Sequence, residues 1–343
     1  MNQQPPVSPQ HRRQIDDLIE SIRLSADKLA ADKPARGDLK ILSRTLRELR
    51  YAFKVFAPYR SRRKVTVFGS ARTESEAPAY QQAVRFGAAM AERDWMVLTG
   101  AAAGIMEAGH VGAGREHSMG LNIMLPFEQE ANPVIAGDHK LVNMKYFFTR
   151  KLMFVKECNA VVCLPGGFGT LDEALEVLTL LQTGKRDMVP VILLDAPGGT
   201  YWEQLRQFFD DQLLAGNMIS PMDSHLFLVT DDYQQAVDEV LNFFTVFHSM
   251  RYVHDRLVFR LEEAISPELL AGINEHFRDL LTEGDFELSA ALPEEKNEAD
   301  LKDLTRLVFH FNRRTHGRLR QMINCLNQRV IPDDVKQSAD AAE

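Results

Sequence analysis

The stretch that decides the fold of this chain is NAVVCLPGGFGTLDE, residues 159–173. Its apolar first half predicts a short β-strand, its glycines predict a turn with exposed backbone, and Thr170 opens an amphipathic helix. Free N–H groups and the positive end of a helix dipole make such a turn a candidate anion site. Two acids, Asp172 and Glu173, fall in the first helical turn. A carboxylate this close to a bound phosphate indicates a nucleotide that is held by its phosphate while chemistry takes place nearby.

The composition indicates a soluble globular protein of about two domains. The chain has 343 residues, of which 45% are hydrophobic and 26% charged, and a formal net charge of −8. This acidic balance argues against general nucleic-acid binding, which favours a basic surplus. The three cysteines, Cys158, Cys163 and Cys325, form no CxxC pair and are predicted to be buried free thiols. The sequence shows neither a signal-peptide core nor an apolar run of membrane length, so we expect a cytoplasmic protein without membrane contact.

Short apolar runs alternate with helical patterns on both sides of the opening stretch. The predicted strands are 64–70, 96–100, 120–126, 159–165, 189–195 and 225–230. The predicted helices are 77–92, 104–115, 145–157, 170–183, 201–215 and 233–247. This alternation predicts an α/β protein with a Rossmann-like, doubly wound parallel sheet covered on both faces. Ligands bind such sheets at the carboxyl ends of the strands, and the glycine clusters of this sequence follow strand ends.

The patterns divide the chain into four regions. These are a polar tail with two helices (1–60), the α/β domain (61–247), a small α+β appendage (248–331) and a disordered tail (332–343). The two N-terminal helices are separated near Pro34, because proline and the glycine that follows interrupt the helical pattern. In the appendage we expect strands at 256–262, 285–291 and 306–312 and helices at 266–282 and 316–328.

The second N-terminal helix is densely basic. Its cations are Lys40, Arg44, Arg47, Arg50 and Lys54. The usual interpretation is a solvated helix face, and the alternative is a contact for a partner subunit or for an anionic nucleotide effector. We expect a homo-oligomer, either a dimer or a larger assembly.

Four segments are expected to meet at the carboxyl edge of the sheet and to form one substrate site. Their candidate binding residues are Gly69, Ser70, Gly100, Gly104, Glu107, Met144, Lys151, Pro165, Gly166, Gly167, Phe168, Gly169 and Thr170. Arg150 is a candidate phosphate or transition-state contact because it lies just before the strand that leads into the glycine turn. The turn is neither a Walker P-loop, which needs GK[ST], nor a GxGxxG fingerprint. The sequence has no metal-ligand cluster at the usual spacing, so we expect no metal.

At these residues the sequence resembles the LOG ("lonely guy") family, also called lysine decarboxylase-like. The family's hallmark PGGxGTxxE is complete at 165–173, and its Arg-Lys pair matches Arg150 and Lys151. The segments GLNIMLPFEQEANP (120–133) and YFFTRKLMFVKE resemble the longer bacterial branch in particular. The likeness extends over about residues 60–247 and covers several motifs in the same order.

The resemblance implies a phosphoribohydrolase that needs no cofactor. Such enzymes cleave the N-glycosidic bond of a purine nucleoside 5′-monophosphate, such as AMP or an N6-modified cytokinin nucleotide. The family's catalytic pair falls on Arg150 and Glu173, and its phosphate cradle falls on the glycine turn and the threonine after it. One departure concerns the family's TGGGxxGxM turn, which here reads TGAAAGIM at 99–106. Ala101 and Ala102 add Cβ atoms where backbone nears ligand, which bears on substrate fit.

Two alternatives remain open at the level of sequence. One is a non-catalytic purine-nucleotide sensor that uses the same pocket together with the appended segments, and the alanines in the turn favour it. The other is a decarboxylase that carries pyridoxal phosphate on a Schiff-base lysine. Lys151 is the one lysine in a motif position, and its pairing with Arg150 already accounts for it.

Overall fold

The structure, a computed structural model, describes residues 9–125, 130–296, 298–333 and 335–336. Most of the predicted N-terminal tail and of the predicted tail 332–343 lies outside these ranges, so both stay predictions. Residues 126–129, part of the segment that resembles the bacterial branch, lie outside as well. Val335, in contrast, is buried in the hydrophobic core, and its N–H donates to the carbonyl of Pro332. This part of the C-terminal tail therefore packs against the rest of the protein.

Seven strands form the main sheet. They are β1 (Lys64–Phe68), β2 (Met96–Thr99), β3 (Ser118–Ile123), β4 (Leu141–Met144), β5 (Ala160–Cys163), β6 (Val191–Leu194) and β7 (Leu228–Thr230). Their spatial order is β4-β3-β2-β1-β5-β6-β7, and every neighbouring pair is parallel. The central β1 is buried along its whole length, as an apolar strand covered on both faces should be. The predicted doubly wound α/β fold is confirmed.

Helices cover both faces of this sheet. The helices of the described residues are α1 (Pro9–Asp32), α2 (Arg36–Phe56), α3 (Pro78–Ala91), α4 (Ile105–His117), α5 (Phe147–Glu157), α6 (Phe168–Gln182), α7 (Tyr201–Phe208), α8 (Tyr233–Asn242), α9 (Pro267–His276) and α10 (His316–Gln328), of which α9 and α10 belong to the appendage. Helix α7 continues as a π-helical turn over Phe209–Leu214. Side chains of α3, α4 and α8 share one hydrophobic core, and those of α2, α5, α6 and the appendage share the other.

The C-terminal appendage is a four-stranded antiparallel sheet with α9 and α10. Its strands are β8 (Phe247–Val253), β9 (Arg256–Leu261), β10 (Leu281–Ser289) and β11 (Thr305–Phe311), in the order β10-β11-β9-β8. Phe259 and Phe309 belong to the same hydrophobic core as Leu121 and Val161 of the main sheet. The appendage therefore shares a core with the α/β unit, and this shared core fixes their relative position.

Two strands and two helix ends differ from the sequence prediction. The sequence analysis missed β4, a short strand whose apolar run is interrupted by Asn143, and β8, whose apolar side chains do not alternate regularly with polar ones. The helix predicted over 233–247 ends at Asn242, and the helix predicted over 266–282 ends at His276. Both predictions were too long because the next residues are recruited into β8 and, after a short 3-10 turn, into β10. The other predicted elements are confirmed with small shifts at their ends.

The N-terminal helices lie at the surface. The exposed large apolar side chains of α1 are Ile15, Leu18, Ile19, Ile22 and Leu24. Contiguous exposed apolar surface commonly marks an interaction site, so the homo-oligomer remains a prediction that this surface favours.

The cysteine prediction is confirmed, since none of Cys158, Cys163 and Cys325 forms a disulfide and all three are buried. Across the ranges that the structure describes, no helix combines the length and the apolar character needed to cross a membrane.

A buried ion cluster stabilises the face of the appendage sheet opposite the core. Nη2 of Arg260 lies 2.7 Å from Oε1 of Glu295, and Nε of Arg306 lies 2.9 Å from Oε2 of the same carboxylate. The N–H of Leu292 also donates to this carboxylate. Burial opposes ionisation, but Arg306, Leu292 and Arg260 outweigh it and lower the pKa of Glu295 to about 2. The carboxylate is therefore ionised at neutral pH and compensates two buried guanidinium groups.

We expect Glu295→Gln to lower the free energy of unfolding by about 3 kcal/mol, because the buried Arg306 loses its carboxylate partner and Arg260 keeps only Glu298. Urea unfolding at pH 7 measures this loss. The neighbouring Glu294 is exposed, so Glu294→Gln is the matched control and should change stability by less than about 1 kcal/mol. Equal stability of the two variants would contradict the assignment.

Candidate active site

The strand order of the main sheet reverses beside β1, and a cleft opens at that point. The N–H of Ser70 donates to the carbonyl of Pro165 at 3.1 Å, and the N–H of Ile105 donates to the carbonyl of Ser70 at 3.0 Å. These bonds join the ends of β1 and β5 to the start of α4. The adjoining cleft has a volume of about 650 Å³, which suits a small-molecule ligand. Its position agrees with the general rule that ligands bind open α/β sheets where the strand order reverses.

All four predicted segments contribute to this cleft. The predicted residues that line it are Gly69, Ser70, Arg150, Gly167, Phe168, Gly169, Thr170 and Glu173. Its further lining residues are Phe68, Ala71, Arg72, Met106, Phe147 and Asp172. The other predicted residues lie behind this lining or away from it, as described below.

The glycine turn presents unpaired backbone donors. Gly167 is the N-cap of α6, and among the described residues no backbone or side-chain acceptor takes the N–H of Phe168 or Gly169. A Cβ at Gly167 or Gly169 would meet no atom within 4 Å, so this side of the turn is open. Gly166 lies on the closed side, where its carbonyl accepts a hydrogen bond from the Tyr201 hydroxyl at 2.6 Å. The turn thus offers the donors and the space that a phosphate group requires.

Arg150 supplies a partly buried cation to the cleft wall. Its Nε donates to the carbonyl of Leu121 at 2.8 Å, and its guanidinium lies over the ring of Phe154. Burial lowers the pKa of Arg150 to about 10, while the charge of Glu173 opposes this shift. Arg150 therefore remains cationic at neutral pH. A Cβ at Gly100 would lie 2.1 Å from Nη2 of Arg150, so the close approach requires glycine there.

Glu173 is a buried carboxylate that no neighbour neutralises directly. The residue is 9% exposed, and its carboxylate makes no hydrogen bond or ion pair with any residue that the structure describes. Burial raises the pKa of Glu173 to about 7; Lys151 and Arg150 oppose the increase, whereas Asp172 and Glu176 add to it. A carboxyl group of this kind changes charge near neutral pH, which is the property that acid–base catalysis requires.

The comparisons with known proteins agree with the motif that forms this site. A family model described as "possible lysine decarboxylase" matches residues 96–240. The chain is similar to cytokinin riboside 5′-monophosphate phosphoribohydrolase LOG7 of Arabidopsis thaliana, with 31% identity over 169 residues, 48% of this chain and 74% of that protein. LOG1 of the same plant is 28% identical over 181 residues, 52% of this chain and 82% of that protein. This chain belongs to the LOG family.

The likeness to LOG proteins covers about half of the chain. Helices α1 and α2 and the appendage lie outside the matching family model. Among solved structures, the molybdenum cofactor binding protein of Rippkaea orientalis aligns with 52% of this chain and 94% of its own, at 19% identity and a TM-score of 0.36. The Moco carrier protein of Chlamydomonas reinhardtii aligns with 52% and 98%, at 21% identity and a TM-score of 0.35. Neither structural likeness bears on what this LOG protein binds.

The turn that departs from the LOG pattern lies outside the cleft lining. None of residues 101–103 lines the cleft, although the sequence analysis associated them with substrate fit. Ala101 is buried and has a φ of 60°, a conformation that favours glycine. Its Cβ faces β3, 3.0 Å from where a Cβ of Gly120 would lie. Asn132 holds the turn by donating its N–H to the Ala101 carbonyl and its Nδ2 to the Ala102 carbonyl. Ala101 therefore introduces backbone strain behind the site.

Several other predicted contacts also lie away from the cleft lining. Lys151 forms ion pairs with two acids of α6. Met144 is fully buried in the core, and Glu107 is partly buried on α4 without reaching the lining. Gly104 has a backbone role, because its φ is 63° and a Cβ there would lie 2.3 Å from the Ser70 carbonyl. Whether any of these residues contacts substrate stays a prediction.

Glu48 positions the helix that carries Arg150, a role that the sequence analysis missed. Its buried carboxylate accepts hydrogen bonds from the N–H of Lys145 and from Oγ1 of Thr149, each at 2.8 Å. Nε of Arg44 lies 2.8 Å from the same carboxylate. Burial acts to raise the pKa of Glu48, but these bonds outweigh it and lower the pKa. The bond to Thr149 spans 101 positions, so no local pattern distinguishes Glu48 from the other acids of its helix.

Arg72 adds a second cation to the lining, and its position could have been noticed in the sequence. It belongs to the GSAR stretch that directly follows β1, and its N–H donates to Oγ of Ser70 at 3.1 Å. Two exposed aromatic side chains, Phe147 and Phe168, also line the cleft. The site therefore combines cations, free backbone donors, a carboxyl group and exposed rings.

We expect Glu173→Gln to stabilise the protein at pH 8 by about 3 kcal/mol and at pH 4.5 by less than about 1 kcal/mol. The folded-state pKa of about 7 is raised above the ordinary value, so the folded state prefers the protonated carboxyl. The stabilising effect of that preference is complete below the unfolded-state pKa of about 4.3 and is lost as pH rises through 7. Urea unfolding at both pH values measures the difference. Glu92→Gln, on an exposed side chain, is the control without such pH dependence. The same gain for Glu173→Gln at both pH values would contradict the prediction.

Proposed function

We propose that this LOG-family protein hydrolyses the N-glycosidic bond of a purine nucleoside 5′-monophosphate, AMP or an N6-modified cytokinin nucleotide. The products would be the free base and ribose 5-phosphate. The observation that carries the proposal is Glu173, an unpartnered carboxyl group in the cleft, on the helix whose N-terminus offers a phosphate site. The curated relatives are named as phosphoribohydrolases of cytokinin riboside 5′-monophosphate, which supports the same reaction class.

In this proposal the 5′-phosphate binds at the N-terminus of α6. The N–H groups of Phe168 and Gly169 donate to its oxygens, and the helix dipole favours its negative charge. Arg72 lines the same cleft and adds a cation. The exposed rings of Phe147 and Phe168 offer apolar surface to the purine.

The ionised Glu173 then acts at the anomeric carbon. Cleavage of a glycosidic bond passes through an oxocarbenium-like sugar, which a nearby carboxylate stabilises. Glu173 accepts a proton from the attacking water as the new C1′–O bond forms and the C1′–N bond to the base breaks. The departing base takes up that proton, directly or through water. Arg150 compensates the negative charge of the phosphate or of the leaving base.

Pyridoxal chemistry does not fit the lysine at the site. A Schiff-base lysine reacts as a neutral amine and is usually activated by a lowered pKa. Lys151 instead lies 2.7 Å from Oδ2 of Asp172 and 2.5 Å from Oε2 of Glu176. Burial acts to lower its pKa, but these ion pairs outweigh it and raise the pKa of Lys151. We therefore favour hydrolysis over a lysine-dependent decarboxylation.

A nucleotide sensor that uses the same cleft is the alternative proposal. The alanines of the turn were its support in the sequence, and they lie outside the cleft lining. A sensor would bind AMP tightly and release no adenine, whereas an enzyme would turn it over.

We expect Glu173→Ala and Arg150→Ala each to reduce release of base from AMP by at least about 10²-fold, because each removes a group that acts in the transition state. Chromatography of the free base over a panel of purine nucleoside monophosphates measures this and identifies the preferred base. Glu176→Gln, one turn further along α6, is the control and should retain most activity. Wild-type turnover in both alanine variants would exclude these roles, and AMP binding without turnover in the wild type would favour the sensor.

The dependence of the rate on pH provides a separate prediction. If the ionised carboxylate is the active form, kcat should rise about tenfold per pH unit below a pKa near 7 and level off above it. The substrate phosphate titrates near pH 6, so its contribution must be separated from that of the protein. In Glu176→Gln, kcat should still rise with pH up to about pH 7. The residual activity of Glu173→Gln should show no such rise. The same rise of kcat with pH in both variants would assign the titration to another group.

A further inference from the structure

A second cavity lies at the opposite edge of the main sheet from the cleft. Its volume is about 480 Å³. The cavity is lined by the end of α5, the loop 184–189 between α6 and β6, the strand β8 and the start of α10. Because Asn159 and Val189 line it just before β5 and β6 begin, the cavity lies at the amino ends of these strands. It is therefore separate from the substrate cleft and lies at the junction with the appendage.

The charged side chains that line this cavity are mostly cationic and lie among apolar ones such as Phe247 and Met250. Three cations line the cavity: Lys156, Lys185 and Arg186. Among the described residues, Asp187 is the one carboxylate that lines it. His248 lines it from β8. A seam between two packed units is ordinarily filled to close-packed density, so an open volume with three cations in its wall needs another explanation.

Further charges stand behind this lining. Burial lowers the pKa of His248, and the positive charges of Arg63, Arg260 and Arg306 lower it further, while Glu262 opposes them. Burial and these guanidinium groups therefore favour the neutral imidazole.

Two of the cavity's cations have unused hydrogen-bonding capacity. The ammonium of Lys185 is exposed and has no acceptor or carboxylate partner among the described residues. Arg186 donates from Nη2 to the carbonyl of Cys158, but its buried Nε has no hydrogen-bond partner within the described ranges. Lys156, in contrast, already pairs with Glu157 at 2.5 Å. Lys185 and Arg186 are adjacent in sequence, so both can serve one bound group.

We propose that this cavity is a second binding site, for a small molecule that carries a phosphate or pyrophosphate group. The phosphate oxygens would accept hydrogen bonds from Lys185 and Arg186, whose charges compensate the phosphate's. The volume accommodates the remainder of a small metabolite. This site is independent of the proposed hydrolysis, because the inference rests on its own lining.

The same two helices reach both the cavity and the substrate cleft. Helix α5 carries Arg150 in the cleft and has Lys156 in the cavity. Helix α6 carries Glu173 in the cleft and ends at Gln182, just before the loop that lines the cavity. A phosphate held at this loop therefore contacts the ends of the elements that position the reactive groups. Binding at the two sites should then be coupled, and the coupling must be reciprocal.

Isothermal titration of the full-length protein with inorganic pyrophosphate tests the site. We expect a binding component that persists in saturating AMP and that Lys185→Glu weakens about tenfold or more, because the substitution reverses a charge beside the ligand. Lys302→Glu introduces the same charge change at an exposed position outside the cavity and is the matched control. Potassium chloride at equal ionic strength controls for screening.

Pyrophosphate binding that AMP abolishes completely, or that Lys185→Glu and Lys302→Glu affect equally, would overturn the second site. The coupling has its own measurement, the Kd of AMP with and without pyrophosphate. A change in that Kd in the wild type but not in Lys185→Glu supports it, and an unchanged Kd in the wild type overturns it. Loss of base release in Glu173→Ala would leave the pyrophosphate titration unaffected, so the two proposals can fail separately.

Discussion

The cleft and the elements around it depend on two backbone hydrogen bonds of Ser70. Its N–H bonds to the carbonyl that ends the β5 segment, and its carbonyl accepts from the first residue of α4. These bonds fix three elements where the strand order reverses, and Gly104 allows the chain to pass close enough to make them. Because they involve backbone atoms, the shape of the cleft depends on topology and glycine placement more than on particular side chains.

The cleft keeps two opposite charges close without letting them neutralise each other. Arg150 bonds to a backbone carbonyl, and Glu173 bonds to no described residue, so the cleft contains a cation and a carboxyl group that remain available. Desolvation makes such an arrangement costly, since a paired carboxylate would be more stable than an isolated one. Strain at Ala101 adds to this cost. Sites that perform chemistry commonly carry destabilising features of this kind, and the surrounding packing must offset them.

The segments outside the family match contribute to the packing around the site. Glu48 of α2 bonds to two groups at the start of α5, and the appendage shares a hydrophobic core with the main sheet. The ends of α5 and α6 lie beside the appendage, at the second cavity. Both added regions therefore contact the helices that carry Arg150 and Glu173. A shorter chain limited to the α/β unit would expose the core that these regions now cover.

The sequence by itself determined the α/β class, the order of nearly all elements and the segments that form the cleft, because these follow from local hydrophobic periodicity and from glycine-rich turns. It also singled out Arg150 and Glu173. Only the tertiary structure decided which predicted residues reach the cleft, since Met144 and Lys151 lie on the same segments yet are buried or paired elsewhere. The sequence analysis also did not predict β4, the hydrogen bonds by which Glu48 holds the start of α5, or the raised pKa of Glu173. All three depend on burial and on contacts between residues far apart in the chain. Such contacts leave no local periodic pattern in the sequence.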